Sequence, residues 1–280
     1  MSKKKIDRRC FFAISAAAIS VGYSLEEKTL LANAAAASPS AQPASSENTL
    51  PQGKIGNLSI SRLICGGNLI GGYAHARDLI YVSPLLENYF TDEKILETFE
   101  KCEENGINTV VTNVCNRPND SRTTSLLSRY WNERGGRIQW LAQCHPLSQE
   151  IETPIKIAID HGASGAFLMG SLADRWVKYE RLDLIDKTVN LIKQNGIVAG
   201  VGGHSLHVPM ECEKQGIDAD FYVKTLHHDR YWSATPEENR LEFNVDVKRF
   251  QDHDKDHDNI WCINPEETAE SMKTLKKPWI

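Results

Sequence analysis

From Ile60 onward the chain alternates short apolar runs with amphipathic segments of helical length, and this alternation restricts its fold more than any other feature. Ser61 to Gly67 reads as a strand ending in glycine. Asp92 to Asn105 reads as a helix with Ile95, Leu96, Phe99 and Cys102 on one face. Asn108 to Asn113 is then a strand, Asp120 to Glu133 a helix, Ile138 to Gln143 a strand and Gln149 to Asp160 a helix. Gly165 to Met169 is a strand, and Leu184 to Gln194 a helix closed by Gly196. Ile197 to Gly202 and Asp220 to Leu226 are further strands, and Pro265 to Leu275 a further helix. Strands that are apolar throughout and separated by helices belong to a parallel sheet covered on both faces. Six strand-plus-helix units result, and Pro278-Trp279-Ile280 opens a seventh strand.

An open doubly wound sheet would carry a phosphate-binding glycine fingerprint after its first strand. Gly66-Gly67-Asn68-Leu69-Ile70-Gly71-Gly72 is glycine-rich but does not have that spacing. The expected fold is therefore α/β, a parallel (β/α)8 TIM barrel truncated at its C-terminal end. On this reading either the chain is a fragment or the seventh and eighth units are absent from it.

The composition agrees with an ordinary globular domain: 41% of the 280 residues are apolar and 25% charged, which excludes collagen-like, coiled-coil and wholly disordered chains. Residues 48–280 suffice for one barrel domain, after residues 1–47 as leader and linker. Net charge is −5 for the whole chain and −7 without residues 1–47. An acidic surface repels phosphate backbones, so no nucleic-acid partner is expected.

The leader begins with a basic segment, Met1 to Arg9, followed by an apolar stretch from Cys10 to Val21 and small residues from Ala32 to Ala37. This is the order of regions in an export signal. The apolar run falls short of the ~20 residues of a spanning helix, so no permanent membrane anchor is expected. Arg8-Arg9-Cys10-Phe11-Phe12 resembles a twin-arginine (Tat) signal. The resemblance implies the Tat export machinery as a partner, a protein folded before export, and a periplasmic or cell-envelope location. The Ala/Ser/Pro tract from Ala34 to Ser46 reads as a cleavage region and flexible spacer. The seven cysteines, at positions 10, 65, 102, 115, 144, 212 and 262, include no C-x-x-C pair, so zinc-ribbon and thioredoxin-like sites have no support. An oxidising compartment permits disulfides among the last six, which read mostly as buried small hydrophobes.

Lys54 to Gly67, a hairpin leading into a strand that ends in glycines, resembles the opening of the aldo-keto reductases. Asp92-Glu93-Lys94 through Glu104-Asn105-Gly106-Ile107-Asn108 is similar to that family's first helix and its entry into the second strand. The resemblance covers about residues 53–113 and implies a TIM barrel that reduces carbonyls with NADP or NAD. It also implies an Asp and a Tyr after strand two, a Lys after strand three and a His after strand four. Those places fall at Val111, Cys115 or Asn116, Gln143 or Cys144, and Gly170, so none of the four residues is present.

In a barrel, residues just past the C-terminal ends of the strands face the catalytic mouth. Asn113, His145, His204, Lys224 and His227 all fall there and are the candidate catalytic residues, with Asn68 and Arg77 as substrate-binding residues on the rim. His145, His204 and His227 would be the ligands if the site holds a divalent metal. Lys224 lies in the apolar run Asp220 to Leu226, where a buried lysine must pair with a carboxylate or lose its proton. The unpaired state would suit a Schiff-base nucleophile or a general base. His161, at a helix end, is explained by the helix dipole. The run Gln251 to Asp258 alternates acids with His and Lys and reads as a solvated loop. The scattered aromatics Trp131, Trp140, Trp176, Tyr231 and Trp232 read as core or rim rather than as a sugar-stacking surface. Two small-molecule chemistries follow. One is an exported oxidoreductase of the aldo-keto reductase type, without the usual tetrad, acting on a carbonyl or sugar-like compound. The other is a metal- or lysine-dependent lyase, isomerase or hydrolase on a sugar or hydroxy-carbonyl compound. A non-catalytic binding protein on the same fold is the third reading.

Overall fold

The structure is a computed structural model, and it describes residues 50–73, 81–114, 118–231, 234–243 and 262–280. It opens with an antiparallel hairpin of β1 (Gln52–Ile55) and β2 (Leu58–Ser61). Two residues make its turn, and Gly56 takes the positive φ of 56° that such tight turns need. Six parallel strands follow in sequence order: β3 (Cys65–Gly66), β4 (Thr109–Val114), β5 (Gln139–Cys144), β6 (Gly165–Leu168), β7 (Val198–Gly203) and β8 (Phe221–Lys224). The sheet curls into half a barrel, as the sequential order of a β/α fold requires. Pro278–Ile280 adds parallel hydrogen bonds to β8: Tyr222 N–H donates to the Pro278 carbonyl at 3.0 Å and Ile280 N–H to the Tyr222 carbonyl at 2.8 Å.

Strand alternation sorts the core into two layers. On the helix side, Val110, Trp140, Ala142, Ala166, Leu168, Ala199, Val201 and Tyr222 pack beneath the helices. Facing the barrel axis, Leu141, Phe167, Val198 and Phe221 from four strands meet Ile55 and Ile60 of the hairpin in one cluster. Four strands can share a cluster on that face only if the sheet is concave there. The hairpin covers the end where the strands begin: Asn108 Nδ2 and Gln139 Nε2 both donate to the Ser59 carbonyl, at 2.9 and 2.8 Å. The opposite end, where the strands finish, is not covered by the hairpin.

The helices that matter below are α1 (Val82–Tyr89), α2 (Asp92–Glu104), α3 (Pro118–Arg134), α4 (Glu152–Asp160), α5 (Gly170–Lys178), α6 (Leu182–Gln194), α7 (His207–Gln215) and α8 (Pro265–Thr274). Helix α2 starts where Thr91 Oγ1 accepts the Lys94 N–H at 3.3 Å, with Asp92 and Glu93 in its first turn. It buries Ile95, Leu96 and Phe99 against the sheet. Among the described residues no helix is long and apolar enough to cross a membrane.

One expectation needs correction, and three helices stand where the pattern predicts none. The strand expected over Ser61 to Gly67 is split: Ser61 ends the hairpin and only Cys65–Gly66 joins the sheet. Ser61 is drawn away by a reciprocal pair of hydrogen bonds with Asn108, through Ser61 N–H to Oδ1 at 2.9 Å and Asn108 N–H to Oγ at 3.0 Å. Helices α1, α5 and α7 also carry no start signal in the sequence. The residues preceding them make no side-chain cap, and α7 has Pro209 inside its first turn.

Candidate functional site

The candidate residues fall into two groups at the open end of the strands. The first lies on the axial face of β4 and β5. Asn113 and Gln143 are parallel-register partners, so their side chains stand side by side, and His145 continues the same face just beyond β5. Gln143 Nε2 donates to Asn113 Oδ1 at 2.5 Å, and His145 Nε2 lies 3.0 Å from the same oxygen. An amide oxygen only accepts, so Nε2 carries the proton of the His145 ring. The Asn113 Nδ2 group has no partner among the described residues and is a donor available to a ligand oxygen. The Asn113 side chain is nearly buried, at 8% exposure.

The second group lies between β7, β8 and the helices over them. Asp174, on α5 and 2% exposed, accepts from three groups of the loop after β7. They are His204 N–H at 3.0 Å, Ser205 N–H at 3.0 Å and His204 Nδ1 at 2.6 Å. A carboxylate fixes the proton on Nδ1 and leaves Nε2 as the nitrogen that exchanges protons. Ser205 Oγ in turn donates to Glu242 Oε1 at 2.8 Å, tying residues 241–243 to this loop. The approach of α5 to β7 depends on Gly202. A Cβ there would stand 2.9 Å from the Leu168 carbonyl oxygen and 3.0 Å from Gly170 N.

Lys224 lines the same cavity as Asp174, His204, Ser205 and Glu242. It ends β8 on the helix-side face, beside Tyr222 in the alternation, and is 5% exposed. Its ammonium donates to the Thr225 carbonyl at 2.7 Å. Among the described residues no carboxylate forms an ion pair with it. Burial pulls its pKa down, while the charges of Cys262, Asp174 and Glu242 oppose that shift.

His145 is not among the residues lining this cavity, so the single mouth expected for Asn113, His145, His204, Lys224 and His227 is divided. Strand alternation explains the division: Asn113, Gln143 and His145 follow the axial face, whereas Lys224 follows the other. His227 lies outside both groups. Strand β8 ends at Lys224, and the His227 ring turns to the His228 carbonyl at 2.8 Å, lining a separate cavity with Arg230 and Arg240. The three histidines therefore do not form the expected metal site, and among the described residues no three His, Cys, Asp or Glu side chains gather to hold an ion. Asn68 is exposed in the turn after β3, where its carbonyl accepts Tyr73 N–H at 2.8 Å. Arg77, the run Gln251 to Asp258 and Trp232 lie outside the described residues. His161 caps α4 as expected, with Nδ1 2.9 Å from the Ile157 carbonyl oxygen. Trp140 and Trp176 are core residues.

Sequence reasoning missed Asp174, Gln143 as a site residue, and Glu242. Asp174 could have been noticed as the one acid on the buried face of its segment, beside Ala173 and Trp176. The cavity beside His227 sets Arg230 and Arg240 against Asp229, Glu237, Glu266 and Glu267. That balance does not suit the phosphates of a nicotinamide dinucleotide, so the described residues do not fit this cofactor there. No protein-family model matches the chain, and no curated protein does either.

Proposed function

We propose that this chain is an exported barrel enzyme of the aldo-keto reductase type, acting on the oxygen of a carbonyl or sugar-like compound by acid–base chemistry. The observation that carries this reading is the setting of His204. The resemblance expects a histidine at Gly170, and the His204 ring lies against that glycine, with Cε1 3.1 Å from where a Cβ would stand. An imidazole is thus supplied from the neighbouring strand, oriented by the buried Asp174. His204 moves the proton at Nε2, and Asp174 stabilises the imidazolium form. Asn113 Nδ2, oriented by the bonds that its Oδ1 accepts from Gln143 and His145, offers a hydrogen bond to a developing oxyanion on the axial side. The complete (β/α)8 barrel belongs to this reading, as do residues 1–47 as a twin-arginine leader to the periplasm or cell envelope.

Oxidoreduction is the reaction class that the resemblance favours. Titrating the full-length protein with NADPH and NADH while following tryptophan fluorescence tests it: saturable quenching, through residues other than those of the cavity beside His227, is expected, and no binding of either nucleotide would overturn it. Lys224 favours a second reading, a lysine-dependent lyase or isomerase, because it is buried beside His204 without an ion pair among the described residues. Borohydride reduction in the presence of a hydroxy-carbonyl compound would then leave a stable adduct on Lys224. An unmodified lysine would rule that reading out.

A further inference from the structure

We propose that Cys65 and Cys102 form a disulfide that staples β3 to α2. The placement follows from register and helical spacing. Cys65 pairs in register with Val110, whose side chain is in the helix-side core, so Cys65 stands on that same face. Cys102 lies three residues past Phe99 and seven past Ile95, on the side of α2 that packs on the sheet. Both side chains are half-buried against the same apolar cluster, and each thiol shifts the pKa of the other.

The chemistry is asymmetric. The neighbouring Cys65 thiol lowers the pKa of Cys102, whereas Cys102 and burial raise that of Cys65. Cys102 is therefore the attacking thiolate. It attacks a protein or low-molecular-weight disulfide, forming a mixed disulfide and releasing one thiolate. Cys65 then loses its proton, attacks the Cys102 sulfur and releases the second thiolate. The electron pair passes to the oxidant, which ends as two thiols carrying the two protons. Cys144 and Cys212 are set apart, since burial pushes each thiol up to about 12.

The test uses the full-length chain, purified reduced and then equilibrated with oxidised glutathione, so the outcome does not depend on the leader or on catalysis. Digestion without reduction is expected to yield one peptide pair linked through Cys65 and Cys102. The unfolding midpoint should rise by roughly 5 to 10 °C, because the link closes the long loop 66–101. Cys102→Ser removes both effects, and if that variant fails to fold, the linked peptide of the parent still decides. A lasting glutathione adduct on Cys102 without closure by Cys65 would overturn the proposal, as would a link that leaves the midpoint unmoved.

Discussion

His204 and Asp174 are joined three times over: the His204 backbone N–H lies 3.0 and 3.2 Å from the two carboxylate oxygens, and Nδ1 lies 2.6 Å from the second. With Ser205 N–H as a further donor, the carboxylate holds both the loop after β7 and the ring it carries. Asp174→Ala leaves buried donors without an acceptor and should lower the unfolding free energy by about 2–4 kcal/mol. Asp174→Asn keeps the volume but turns one acceptor into a donor facing donors, and should lose nearly as much. Urea unfolding of both variants measures this. A change within experimental error would mean that the loop is held by other contacts.

Lys224 gives a pH dependence whose sign is set by burial. In the unfolded chain it titrates at ~10.4, and in the folded protein burial lowers that value. Between the two values the unfolded chain holds a proton that the folded one has shed, so the lysine's contribution to stability rises with pH across that window. Below the window, the burial of the ammonium costs in full. Lys224→Met should therefore gain most over the parent at neutral pH, and the gain should shrink as the pH approaches ~10.4. Thermal melts across that range check it, and a gain that grows with pH contradicts it.

The division of the site shows where sequence reading stops. Apolar runs revealed β4 to β8 because those strands are largely buried on both faces, and Asn113, His145 and His204 fall at strand ends as expected. The face that each residue takes depends on where its strand ends. Lys224 is the last residue of β8, on the helix side, and the chain leaves the alternation before His227. Asp174 was hidden for another reason. It is a single acid in a helix without a start signal, and its role exists only because Gly202 lets α5 approach β7.

That approach is itself testable. The neighbours of a Cβ at Gly202 are backbone atoms, the Leu168 carbonyl oxygen and Gly170 N, which cannot rotate aside. Gly202→Ala should cost about 1–3 kcal/mol through overpacking. It should also push Gly170 away from the His204 ring, so activity should fall more than stability alone explains. Equal stability and activity in the variant would show that α5 has room to shift.

The hairpin and the axial core should fail together. Phe167 meets Phe221 edge-on at 6.0 Å and shares one cluster with Ile55 and Ile60. Phe167→Ala should cost about 3–5 kcal/mol. Hydrogen exchange should then show lost protection at Ile55 and Leu58 as well as in β6. Loss confined to β6 would mean that the hairpin holds without the axial cluster.

The two polar groups of the site can be separated kinetically, because they are assigned different work. His204 exchanges the proton and is oriented by Asp174, so His204→Gln should lower kcat by roughly 10²–10⁴-fold on an accepted carbonyl substrate, with KM little changed. His145 donates its Nε2 proton to Asn113 Oδ1 and so holds the Asn113 amide that faces the substrate oxygen. His145→Gln keeps a donor of similar reach and should lose no more than about tenfold, whereas His145→Ala should lose roughly 10²-fold or more in kcat/KM. The pH profile of kcat should lose one limb only in the His204 variant, since only that imidazole changes charge during turnover. If His145→Gln removes the limb and His204→Gln does not, the axial group carries the proton and Asp174 serves only to hold the loop.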